Sequence, residues 1–197
     1  MILRSYKDTK ERIVWFDIET TGFNIFHDEI IEIAAVDNFN NEFSCLIKPC
    51  KPVKNKIINI TGITNEMLVN EKSSGEILLN FKKFLEKDSN TLVLIGHNSN
   101  SFDLPFLKCH FNKHNLKFPK FKTIDTMRLA QYVLPDEWSY SLSNLCNTFG
   151  IINSNAHRAL SDVYATKHIY NNLITIYNSR NKDEINNISN IINKTLF

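Results

Sequence analysis

Asp17 and Glu19 stand one residue apart at the end of an apolar run, residues 13–16, in the stretch WFDIETTGF, and Thr20, Thr21, Gly22 and Phe23 follow at once. If the run is a strand, residues two apart share a face, so both carboxylates project side by side where the apolar stretch gives out. Carboxylates that close tolerate each other only if one holds a proton or a cation lies between them. Oxygen donors of this kind favour hard divalent ions such as Mg²⁺ or Mn²⁺, with substrate oxygens and water completing the shell. Taken alone, the pair is also what a strand end turning into solvent looks like, because Asp-x-Glu is common.

Two further stretches carry similar chemistry. In LIGHNSNSFDLPF, residues 94–106, a strand is expected to end at Gly96, His97 and Asn98 and a helix to begin near Phe102. Asp103 then falls in the first helical turn, where the backbone dipole favours a negative charge. In AHRALSDVYATKHIY, residues 156–170, His157 and Asp162 are five apart. On a continuous helix they would lie roughly 140° apart and could not share a face. A helix beginning just after His157 resolves this: the histidine rides the lead-in and swings over a site that Asp162 holds from the first turns. Each stretch has a plainer explanation by itself, as a helix-start aspartate or as incidental polar residues.

The elements that must position these groups are legible as alternating patterns. Runs of strand length rich in β-branched and aromatic residues occur at 13–18, 30–36, 43–47 and 92–95, with a short fifth at 122–126. Residues 48–64 read as a long loop with one helical turn, because prolines and a glycine interrupt them. Ser73 with Glu76 has the spacing of a capping box, and Ile77, Leu78, Phe81, Phe84 and Leu85 then share one helical face over 74–86. Helices are also expected at 102–114, 126–133, 141–149 and 158–178, where Leu173, Ile174 and Tyr177 belong to the core. Strands first and helices interleaved afterwards indicate an α/β domain with a mixed central sheet.

The bulk numbers bound the rest. At 197 residues and 43% hydrophobic, the chain has material for one core. We read residues 1–11 as an extension, 12–178 as the domain and 179–197 as a tail, with a short helix placing Ile185, Ile188, Ile191 and Ile192 on one side. A net charge of +2 requires any nucleic acid to be bound by a local face, not a bulk positive field. Neither a secretory leader nor a run long enough to span a membrane is seen, so an intracellular protein without membrane contact is expected. Cys45, Cys50, Cys109 and Cys146 lack zinc-site spacing and read as free thiols. Lys48, Lys51, Lys54 and Lys56 read as a solvated loop, and Trp138 as packed against a neighbouring helix.

Taken in order, the three acidic stretches resemble the 3′-5′ exonucleases of the DEDD superfamily, in the DEDDh branch. The pattern Asp-x-Glu-Thr-Thr-Gly is met by Asp17, Glu19, Thr20, Thr21 and Gly22. Gly96, His97, Asn98, Phe102 and Asp103 meet Gly-His-Asn and Phe-Asp, while His157, Ala159 and Asp162 meet His-x-Ala-x-x-Asp. ITGIT at 60–64, IDTMRLA at 124–130 and YSLSNLCNTFGI at 140–151 agree, so the likeness spans about 12–177. It includes relatives of the proofreading subunit of bacterial DNA polymerase III.

The resemblance implies an RNase H-like fold, α/β with about five strands flanked by helices, and hydrolysis from the 3′ end of nucleic acid, DNA before RNA. It also implies that Asp17, Glu19, Asp103 and Asp162 hold two divalent cations, Mg²⁺ or Mn²⁺, roughly 3.5–4 Å apart, with His157 as the base. Phosphodiester hydrolysis calls for accelerations up to about 10¹⁷-fold or more. A general base supplies only about 10²- to 10⁴-fold, which leaves most of the work to charge stabilisation. The implied nucleotide pocket comprises Thr20, Thr21, Gly22, Phe23, His97, Asn98 and Phe102, with Phe23 wedged against the terminal base; stacking of that kind tolerates any sequence. Proofreading would need a DNA polymerase as partner. An RNA-trimming enzyme of the RNase T or oligoribonuclease type, and a catalytically idle nucleic-acid-binding module, stay open as alternatives.

Overall fold

The computed structural model describes residues 11–87 and 91–180. Its elements follow in the order β1 (Glu11–Thr20), β2 (Ile30–Asp37), β3 (Glu42–Leu46), α1 (Asn55–Thr61), α2 (Asn65–Leu68), α3 (Ser74–Leu85), β4 (Thr91–Gly96), α4 (Asp103–Lys113), β5 (Lys122–Asp125), α5 (Thr126–Val133), α6 (Leu142–Phe149) and α7 (Ala159–Arg180). The five strands make one sheet in the order β3-β2-β1-β4-β5. β2 pairs antiparallel with β1 and β3, whereas β4 runs parallel to β1 and β5, giving the mixed sheet expected. The tail helix around Ile185–Ile192 and nearly all of the 1–11 extension lie outside the described residues.

Alternation along β1 divides the core between the two faces of the sheet. Val14, Phe16 and Ile18 pack with Leu78 and Phe81 of α3 and Phe106 and Leu107 of α4. Ile13 and Trp15 pack with Ala34 and Val36 of β2 and with Ala159, Val163 and Tyr170 of α7. Trp15, 1% exposed, meets the Tyr170 ring edge-on at 6.0 Å, an arrangement aromatic quadrupoles favour. Leu173 and Tyr177 are buried further along α7 against Val133 and Leu145, as their spacing implied. At the far end of the sheet Arg12 donates to Asp37 at 2.9 and 3.2 Å and to the Phe84 carbonyl, joining the start of β1 to the end of β2 and to α3.

Three local expectations are corrected. The 48–64 loop carries a seven-residue helix instead of one turn, ended by Gly62 at φ 69°, and a second short helix follows directly, the Thr64 hydroxyl accepting the Met67 N–H to start α2. Ser73 is the N-cap of α3, but its side chain makes no capping bond, and Glu76 pairs with Lys72 instead of closing a box. Trp138 does not pack on a helix; it is 85% exposed. The four cysteines are free and the four loop lysines exposed, as read from the sequence. Among the described residues no helix is long and apolar enough to cross a membrane.

Gly96 ends β4 where no side chain fits. A Cβ there would lie 2.4 Å from Ser99 Cβ and 3.3 Å from Phe16 Cε1, and Ser99 is fully buried. Gly96→Ala is expected to cost about 1–3 kcal/mol in a denaturant titration, because the 97–100 turn must move to admit one methyl group. An unchanged midpoint would show that the turn yields freely.

Candidate active site

The face of β1 that carries Ile13 and Trp15 under α7 continues as Asp17 and Glu19, so one strand face passes from core to acid in two residues. β1 also outruns its parallel neighbour. The last β1–β4 pair is Trp15 with Ile95, and β4 stops at Gly96. Beyond that point the β4 side of β1 lacks a strand, and Asp103 of α4 takes the place: its Oδ1 accepts the Ile18 N–H at 3.2 Å. The carboxylate of the first turn of α4 is thereby drawn against the backbone between Asp17 and Glu19.

Asp162 arrives from the other side. It lies in the first turn of α7, 6% exposed, with Oδ1 accepting from Asn153 Nδ2 at 2.5 Å and Oδ2 from the His157 N–H at 3.0 Å. His157 is exposed and precedes the helix, in left-handed backbone at φ 64°, as the spacing argument required. A ring nitrogen of His157 and one carboxylate oxygen each of Glu19 and Asp162 all lie within 4.8 Å of one another. Asp17 and Asp103 stand outside that triplet, and Asp103 is the strongest charged influence on Asp17. Four carboxylates and no thiolate form a donor set suited to a hard divalent cation.

Without a cation this cluster is uncomfortable. Burial, and then repulsion from Asp162, Glu32 and Asp103, pushes Glu19 up to about 8. Burial pushes Asp103 up to about 7. Asp17 is raised well above the usual carboxylate range by burial and then by Asp103, Glu19, Asp162 and Glu32, and Asp162 is raised chiefly by burial. A carboxyl group that titrates higher folded than unfolded holds a proton that the unfolded chain has released, so stability falls as pH rises between the two values. For Glu19 that window runs from 4.5 to about 8. In EDTA the melting temperature is therefore expected to drop by about 5–10 °C between pH 5 and pH 8. A divalent cation should restore most of the loss, and restore more at pH 8, since it binds the deprotonated groups. A melting temperature that rises over this interval in EDTA would contradict the clustering.

The loop after β1 forms one wall. Thr21 Oγ1 donates to Asp28 and accepts the Glu29 N–H, Asn24 N–H donates to Asp28, and Thr20 Oγ1 donates to the Gly22 carbonyl at 2.6 Å. Gly22 is needed because a Cβ would lie 2.5 Å from the Asp28 carboxylate. The threonine hydroxyls thus serve the loop itself, and the loop presents Phe23, 78% exposed, edge-on to Phe102 at 5.9 Å. His97 Nδ1 bonds Thr126 Oγ1 at 2.9 Å, and burial lowers the His97 pKa, with Asp125 and the Tyr140 backbone opposing the shift. Asn98, exposed and at φ 56°, is held by its N–H to Asp125, which also accepts from Asn100 and Met127. A groove lined by Ser141, Cys146, Asn153, Ala156, His157 and Asp162 opens beside the acids.

Sequence reasoning missed Asn153, Asp28, Asp125 and above all Glu32. Glu32 lies in β2 directly opposite Glu19, 2% exposed. A glutamate inside the apolar run IIEIAAV was the available signal.

A mixed sheet in this strand order, with acids gathered past the end of its central strand and in the first turns of two helices, defines the RNase H-like class of nucleases. Within that class the chain belongs to the exonuclease family of the RNase T type, which matches residues 14–170, and is a 3′-5′ exonuclease domain of the DEDD superfamily. It is 38% identical over 160 residues to the DNA polymerase III PolC-type protein of Halalkalibacterium halodurans, covering 79% of this chain. The chain spans 11% of the length of the PolC-type relatives it matches. Exonuclease X in complex with 5′-overhanging duplex DNA is 26% identical with a TM-score of 0.62, over 85% of this chain and 92% of that one. The zinc-bound E. coli exonuclease I complex with single-stranded DNA shares the fold at a TM-score of 0.72 and 23% identity, over 89% and 42% of the two chains.

Proposed function

We propose that this domain removes nucleotides from the 3′ end of DNA, using two divalent cations, Mg²⁺ or Mn²⁺, held by Asp17, Glu19, Asp103 and Asp162, with His157 as general base. The observation that carries the reading is the convergence of four acids from three distant segments, beside one imidazole, where burial and mutual repulsion raise the carboxyl groups, opposed by the charge of Arg158 at Glu19 and of His157 at Asp162. Bound there, the cations would polarise the attacked phosphate and stabilise the leaving 3′ oxygen. The remaining work belongs to side chains of this chain. A ring nitrogen of His157 takes the proton of the attacking water, and Asp162 holds the His157 backbone in place. Phe23, backed by Phe102, stacks on the terminal base, while His97 and Asn98 line the same pocket.

The PolC-type relatives favour DNA as substrate and a polymerase as the working partner. Degradation of matched 3′-labelled and 5′-labelled DNA and RNA, single- and double-stranded, in Mg²⁺, Mn²⁺ or EDTA tests each part of the proposal. Loss of the 3′ label from DNA ahead of RNA, with none in EDTA, is the expected result. Faster loss from RNA would replace the substrate assignment, and activity that survives EDTA would remove the cations from it.

A further inference from the structure

We infer that Glu32 is a positioning residue, which fixes the backbone stem of His157 through Arg158 and the first amide of α7. The inference rests on the proposed nuclease reading, in which His157 accepts the proton.

Glu32 is the Cα partner of Glu19 across the β1–β2 ladder. Like charges directly opposite on paired strands repel, so the sheet alone gives no reason for a second glutamate here. Nor is Glu32 available as a further cation ligand. Its Oε1 accepts from Arg158 Nη2 at 2.9 Å, its Oε2 from the Ala159 N–H at 2.9 Å, and Arg158 Nε lies 3.3 Å from both oxygens. With the Arg158 side chain 39% exposed and Glu32 buried, this ion pair contributes little net stability, because solvent screens one partner and desolvation of the other offsets much of the attraction. What this pair does supply is geometry. The two residues it grips, Arg158 and Ala159, immediately follow His157.

His157 needs that grip. Its backbone sits in the left-handed region, at φ 64°, where a non-glycine residue is strained unless its surroundings hold it. On its N-terminal side the His157 N–H is held by Asp162 Oδ2, and the Asp162 N–H returns to the Arg158 carbonyl at 3.1 Å. On its C-terminal side the only side chain that anchors the backbone amide of Ala159 among the described residues is Glu32. The stem is therefore pinned at both ends, and the imidazole projects from it to within 4.8 Å of Glu19 and Asp162. The same contact leaves the Arg158 cation beside Glu19, opposing part of the repulsion there.

The test compares Glu32→Gln, Arg158→Met and the double variant, each in the full chain. Steady-state kinetics on a 3′-labelled single-stranded oligonucleotide are combined with thermal melts and amide hydrogen exchange over residues 155–160. Expected are a fall in kcat of about 10- to 100-fold in each single variant and a KM within about threefold of wild type. Exchange in that segment should quicken, and the double variant should be no worse than the weaker single one, since both remove one clamp. Independent, multiplying effects in the double variant would overturn the inference. So would a KM that rises while kcat holds, or exchange that stays at the wild-type rate in Glu32→Gln. Should wild type release no nucleotide at all, the nuclease reading fails, and the exchange measurement still decides whether Glu32 holds the stem.

Discussion

Asp17→Asn is expected to abolish 3′-end hydrolysis, by at least about 10⁴-fold or about 5.5 kcal/mol in transition-state stabilisation, while raising the melting temperature of the metal-free protein. The two effects have one origin. Asp17 sits where burial and the charges of Asp103, Glu19, Asp162 and Glu32 all disfavour its ionised form. Removing the charge relieves those neighbours in the folded state and leaves the unfolded chain nearly unchanged, so the fold gains. The proposed cations lose an acid whose charge interacts with both Asp103 and Glu19, so catalysis loses. Kinetics on a labelled 3′ end beside calorimetry in EDTA reads both quantities. Activity within tenfold of wild type, or a lower melting temperature, would show that Asp17 is an ordinary strand residue.

The second large effect concerns the imidazole. His157→Ala should slow hydrolysis by about 10²- to 10⁴-fold, the usual worth of a general base, and leave stability and oligonucleotide affinity near wild type. The side chain is exposed and its anchoring bonds are made by its backbone, so truncation at Cβ leaves the stem intact. Single-turnover rates separate the chemical step from binding. A variant that hydrolyses at the wild-type rate but binds tenfold more weakly would move His157 from proton transfer to substrate contact.

What was legible in the sequence follows from how local each signal is. β1, β2, β4 and α5 declare themselves through runs whose period and length depend only on neighbours in the chain, and their observed bounds lie within two residues of those expected. Asp17, Glu19, Asp103, His157 and Asp162 stood out as candidates for a related reason: each lies at the end of a strand or the start of a helix, where an apolar pattern breaks, and the family resemblance joined them into one proposed site. Glu32 was not, because its meaning depends on a register. Only once β1 and β2 are paired does it come to lie across from Glu19, and only once α7 docks does it meet Arg158. Asn153 is similar, since it reaches Asp162 from a loop without periodic pattern. α1 and α2 were underestimated because prolines and lysines dominate residues 48–56, while the signals that form them, Gly62 and Thr64, act over three or four residues. Trp138 was misjudged by its type, for aromatic bulk usually seeks cover and here finds none.

β4 stops short, and that shortfall has a further meaning. Two more residues of strand after Gly96 would zip onto Ile18, evict the aspartate that now bonds it, and seal the cleft without altering one acid. Reactivity in this domain is thus written partly as a missing length of ladder, a ruler set by where one strand is made to end.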